Sequence, residues 1–292
     1  MKKFTRSIYL LPALLILTIS ACGGGGDGNS GSTGPATSQG QFIDATVEGI
    51  TYTSGTLTGT TDVNGNFSYQ SGQPVTFSVG GIVLGTVSGS AIITPVQLVA
   101  GATNQSNPVV TNIVQFLLTI DDDNDPANGI QITPAVRTAA AGLNLDFTLA
   151  NFDIDSTVSS VIGTLTSAST FGSRVLVSNA AAQAHLSGSL FSLLSGNYTG
   201  TYGGTDSGNW TIAITTAGVV SGSGTSNSSG PFTVTGSVNT SGTTNATASG
   251  GGGGAAAGAS WAGTIDITTG TFSGSWSDIG GTGSGTFSGN KI

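Results

Sequence analysis

From Gly196 to Ile292 apolar side chains recur at every second position, a rhythm that suits a half-buried β-strand and not a helix. Trp210, Ile212 and Ile214 alternate with Thr211, Ala213 and Thr215, and Phe232, Val234 and Val238 keep a similar beat. Eight runs carry the pattern: 198–202, 209–215, 219–225, 232–238, 243–248, 261–267, 271–277 and 283–288. Connectors as short as Thr216-Ala217-Gly218 and Thr268-Thr269-Gly270 predict that neighbours pair as an antiparallel meander. Closing that meander into a small barrel would remove its exposed edges. A membrane-spanning barrel fits less well, since its strands need about 9–11 residues and aromatic girdles at both interfaces.

Composition limits what such a surface can bind. Charged residues make up 7% of the chain, against roughly 25% in an average soluble protein. With 48 glycines and abundant Ser and Thr, the surface is solvated by hydroxyls rather than by ions. Three of the six bases (Lys2, Lys3 and Arg6) lie at the extreme N-terminus. The remainder carries three bases against fourteen acids, a net charge of −11. No basic patch exists to release phosphate counterions, so no nucleic-acid partner is expected.

Lys2, Lys3 and Arg6 precede an apolar run from Ile8 to Ile19, too short for the ~20 residues of a spanning helix and readable as a signal peptide. The run ends in Ile19-Ser20-Ala21-Cys22, which resembles the lipobox of bacterial lipoproteins: an aliphatic residue, two small residues and the acylated cysteine. The resemblance implies a leader over 1–21, a diacylglycerol on Cys22, a membrane partner through that lipid, and a place in the cell envelope. Gly23 after the cysteine resembles the pattern sorted to the outer rather than the inner membrane. Cys22 is the only cysteine, so no disulfide competes for it. From residue 22 to 40 Gly, Ser, Thr and Asn predominate, without apolar periodicity, and predict a flexible tether.

Residues 41–195 predict a small antiparallel β-sandwich with helices, and 196–292 a separate all-β barrel; the fold class is mainly β with a helical middle. Short β-prone runs cover 45–52, 55–60 and 67–69, with Asn64-Gly65 read as a tight hairpin turn. The segments Val47-Glu48-Gly49-Ile50 and Thr61-Asp62-Val63-Asn64-Gly65-Asn66-Phe67 resemble the carboxypeptidase-regulatory-like, transthyretin-like β-domains of secreted bacterial proteins. That likeness implies a spacer or scaffold. Asn107-Pro108, Thr133-Pro134, Asp155 and Ser178 each cap a predicted helix, Gly142 closes the second, and Val109, Val110, Ile113, Val114, Leu117 and Ile120 keep helical spacing in the first. The barrel segment, with Trp210, Trp261 and Trp276, resembles the small up-and-down barrels of the avidin and lipocalin type.

Candidate chemistry is sparse. The one histidine, His185, falls mid-helix beside Leu186 and reads as half-buried packing rather than as a general base or zinc ligand. Asp153 and Asp155 flank and cap the third helix rather than form a hydrolytic pair. Asp121, Asp122, Asp123 and Asp125, with Asn128, follow the negative end of the first helix with no Lys or Arg nearby in sequence. Two readings stand: a solvated acidic turn, or a calcium loop with Asp121, Asp123, Asp125 and Asn128 as ligands. It is not an EF-hand, since Pro126 occupies the glycine position and Ile132 the terminal glutamate position. No other cofactor is expected, and the chain reads as a non-enzymatic surface or periplasmic structural or interaction module with a protein or glycan partner. The alternative is a lipoprotein binding a small molecule or glycan in its barrel, against Trp210, Trp261 and Trp276.

Overall fold

A computed structural model describes residues 36–250 and 258–292. The predicted leader, Cys22, most of the tether and residues 251–257 of the glycine run lie outside the described residues. The first described strand, β1 (Thr37–Phe42), begins inside the stretch expected as tether, because Thr37 to Gln41 pair with a later strand.

The N-terminal half continues with β2 (Val47–Glu48), β3 (Thr51–Ser54), β4 (Leu57–Thr60), β5 (Asn66–Gln70), β6 (Pro74–Val79), β7 (Ile82–Ser88) and β8 (Ile92–Ile93). One sheet has the order β4-β3-β6-β7 and a second the order β5-β1-β8. Rings from the two sheets meet: Phe67 lies 5.0 Å from Phe77, edge to face, and 5.9 Å from Tyr52. The expected sandwich is therefore present, but it is not wholly antiparallel, because β1 and β8 run parallel. The Asn64-Gly65 turn forms, with Asp62 accepting from the backbone N–H groups of Asn64 and Asn66. It is not a hairpin: β4 pairs with β3 while β5 pairs with β1, so the turn carries the chain from one sheet to the other.

Four helices follow among the described residues: α1 (Pro108–Thr119), α2 (Pro134–Ala139), α3 (Ser156–Thr166) and α4 (Asn179–Leu194). Each starts at the predicted cap, with the side chains of Asn107, Thr133, Asp155 and Ser178 accepting from N–H groups of the first turn. α1 is buried on every side from Val110 to Thr119, so its polar residues need internal partners. Asn112 donates to Phe147 O (2.8 Å), Gln115 to Val177 O (2.7 Å) and Thr119 to Gln115 O (2.6 Å). A short strand, β9 (Ile130–Gln131), pairs parallel with β2 and brings the turn after α1 against the sandwich.

β10 (Gly196–Gly204), β11 (Gly208–Ile214), β12 (Val219–Ser226), β13 (Gly230–Val238), β14 (Thr243–Ser249), β15 (Ala259–Ile265), β16 (Thr271–Ser277) and β17 (Ser284–Lys291) form a closed antiparallel barrel in sequence order. Pairing of β10 with β17 closes it, so no strand edge is left open. Outward positions are mostly Ser, Thr and Asn; inward ones combine aromatic and aliphatic side chains with glycine. A Cβ on Gly289 would come within 2.6 Å of the Trp210 ring, and one on Gly263 within 2.6 Å of Phe287. These glycines make room for rings that fill an eight-strand lumen.

Buried apolar residues fall into two clusters, one in the N-terminal half and one in the barrel. α4 joins them: Ala182, Leu186 and Leu190 pack into the first, Leu194 into the second. Its C-terminal carbonyls are taken by the barrel, Leu193 O by Lys291 Nζ (2.7 Å) and Leu194 O by the Tyr198 hydroxyl (2.8 Å). A cation at that end also suits the helix dipole.

Candidate functional site

Three places could carry function: the barrel lumen, the acidic turn after α1, and a buried carboxyl beneath α4. In the lumen Trp210, Trp261 and Trp276 are all buried. Trp210 stacks edge to face on Phe272 at 5.5 Å, Trp261 lies 4.9 Å from Phe287, and Trp276 lies 5.7 Å from Tyr202. Trp210 Nε1 donates to Thr201 O (3.2 Å) and Trp276 Nε1 to Gly203 O (3.1 Å), whereas Trp261 Nε1 has no partner among the described residues. The void among the described residues between Trp210, Trp261, Phe272 and Val234 is about 10 Å³. A single water needs about 10–15 Å³. Trp276 does not line that void.

The acidic turn divides its carboxylates between structural tasks. Asp121 is fully buried and its Oδ1 accepts from Gln131 N (2.9 Å); its Oδ2 has no donor among the described residues. Burial, reinforced by the neighbouring Asp123 carboxylate, pushes Asp121 up to about 6. Asp122 points elsewhere and accepts from Thr170 N (3.0 Å). Asp123 is exposed and accepts from the Asn128 amide (2.8 Å) and from Asp125 N (3.0 Å), which hold it below the usual carboxylate range. Asp125 caps a short 3₁₀ turn, Pro126–Asn128. Beside Asp123 and Asn128 opens a cleft of about 250 Å³, with Thr46, Glu48 and Gln131 on its other wall.

No Lys or Arg lies near this turn in the sequence; the fold supplies a cation. Arg174, 53 residues beyond Asp121, donates Nε to Thr119 O (2.5 Å) and Nη2 to Asp121 O, satisfying the carboxy-terminal carbonyls of α1. The available signal was compositional: only three bases follow Arg6, and a buried helix end needs a donor.

Asp44 was not singled out by its sequence context at all. It is fully buried, both its carboxyl oxygens are without hydrogen-bond partners among the described residues, and burial pushes it up to about 8. His185 Nε2 stands 3.5 Å from Asp44 Oδ1 and 3.3 Å from Asp44 O. Burial lowers the imidazole while it raises the carboxyl, so the two face each other as a neutral pair. Ser189, one turn along α4, accepts from Ala45 N (3.1 Å) and donates to the carbonyl, not the ring, of His185. The three side chains therefore do not form a nucleophile relay.

No known protein family, curated protein or solved structure matches the chain. Among the described residues no three carboxylate, imidazole or thiol side chains converge on one point, and no helix there is long and apolar enough to cross a membrane.

Proposed function

We propose that the chain is a lipid-anchored envelope lipoprotein acting as a non-enzymatic structural or interaction module, its barrel presented outward as a rigid body. The observation that carries this reading is the filled lumen. Interlocked rings leave a void of about 10 Å³, far below the ~300–1,000 Å³ of a small-molecule pocket. Binding would then use the outer wall, where rows of Ser, Thr and Asn offer hydrogen bonds without charge. The ring nitrogen of His185 is engaged with Asp44, which supports a packing role for the histidine.

The anchor rests on Ile19-Ser20-Ala21-Cys22. Tryptophan fluorescence tests the module and a lipid label tests the anchor. A panel of small hydrophobic molecules and oligosaccharides is expected to leave the emission of buried Trp210, Trp261 and Trp276 unchanged, whereas saturable quenching would overturn the filled-barrel reading. Labelled palmitate is expected on the wild-type chain and not on Cys22→Ala; label and membrane partitioning that survive the substitution would overturn the anchor.

A further inference from the structure

We propose that the turn at residues 43–46 and helix α4 form a proton-operated latch, closed while the Asp44 carboxyl holds its proton and biased open once that proton is lost. α4 packs into both buried clusters, and the turn is clasped against its middle. Asp44 is 0% exposed, and neither carboxyl oxygen has a hydrogen-bond donor among the described residues. His185 reaches it, with Nε2 3.5 Å from Oδ1 and a ring that is 19% exposed to solvent. Charged groups on the neighbouring elements are turned elsewhere. Glu48 accepts from Gln131 Nε2, Asp62 from the N–H groups of Asn64 and Asn66, and Arg137 donates to Gly49 O and Ile132 O.

A carboxylate in this place would be buried without a donor, a charge that is costly to hold unless the turn lifts and admits water. The closed turn is also strained. Ala45 sits in the left-handed region at φ 57°, held there by its N–H donating to Ser189 Oγ (3.1 Å) and by an isolated bridge between Ile43 and Thr46. Lifting the turn hydrates Asp44 and lets Ala45 relax. The barrel stays on the other end of α4, where Lys291 Nζ and the Tyr198 hydroxyl hold Leu193 O and Leu194 O. Proton counting sets the direction. In the open turn Asp44 returns to 3.8 and His185 to 6.5. Between those values opening moves a proton from carboxyl to imidazole and leaves the count unchanged. Above 6.5 opening releases a proton, so the open population grows until about pH 8, where the closed carboxyl loses its own.

The test is amide hydrogen exchange of the full chain, followed residue by residue and divided at each pH by the rate of an unstructured reference. The Ala45 amide should show an opening constant at least about tenfold larger than that of Ile212 in barrel strand β11. That constant should be level from about pH 5 to 6.5 and rise about tenfold between pH 6.5 and 8. Asp44→Asn, which keeps the shape without the charge, should show no rise. Equal constants for Ala45 and Ile212 at every pH, or no change at Ala45 between pH 6.5 and 8, would overturn the proposal on the wild type alone. So would a rise that persists in Asp44→Asn.

Discussion

Replacing Asp44 by Asn should stabilise the protein, and by an amount that grows with pH. In the fold the carboxyl is fully buried without hydrogen-bond partners among the described residues and titrates at about 8, against 3.8 for the ordinary group. Between those values the unfolded chain has lost the proton and the folded chain retains it. The folded state thus binds more protons, and stability falls as pH rises from about 4 to about 8. At pH 7 the gap covers about 3 units, which at about 1.4 kcal/mol each amounts to about 4 kcal/mol. Asn keeps the shape and carries no charge, so it removes this loss: no gain at pH 4 and about 4 kcal/mol at pH 7, or about 8–15 °C in melting temperature for a chain of this size. His185 contributes the opposite slope, since a lowered imidazole costs stability as pH falls below about 6.5. Where both groups titrate differently their slopes cancel, so the wild type should stay level up to about pH 6.5 and fall from there to about pH 8, while Asp44→Asn should rise to about pH 6.5 and stay level. Urea unfolding monitored by circular dichroism between pH 4 and 9 reads both profiles. Were Asp44 ionised in the fold and paired with a charged His185, the substitution would instead destabilise at pH 7 by about 3–5 kcal/mol, and the neutral-pair argument would be refuted.

Trp210→Ala should cost about 3–5 kcal/mol, read from a chemical melt, because the ring is buried among Phe272 and Phe287. Gly289→Val should abolish cooperative melting of the barrel, since its new side chain meets the Trp210 ring and the Thr199 backbone. Arg174→Gln should lower stability by about 2–4 kcal/mol through the orphaned carbonyls of Thr119 and Asp121, with a near-normal strand signal by circular dichroism. A fragment covering 190–292 should fold with one cooperative transition and be about 2–3 kcal/mol more stable than one starting at Gly196, because Leu194 is wholly buried in the barrel cluster; equal melts would show that α4 does not support the barrel.

Elements set by neighbours in the chain were legible from the sequence alone. The eight barrel strands match the period-two runs because alternation needs no knowledge of the partner strand. The four helix starts follow from Asn107, Thr133, Asp155 and Ser178, whose side chains satisfy N–H groups two or three residues on. What depends on distant segments was not legible. Asn64-Gly65 has the composition of a hairpin turn, but whether the next strand returns to the same sheet depends on where β1 lies. The charge of Asp121 and its neighbours looked unmatched because Arg174 arrives from 53 residues away. Asp44 has no local pattern to mark it, and its burial follows from α4 closing over the turn at Ala45. The tryptophans were recognisable as inward-facing by alternation, yet a filled or hollow lumen follows from which glycines stand opposite which rings. That pairing exists only once β17 closes on β10, because the space left in a barrel is a property of all its strands together.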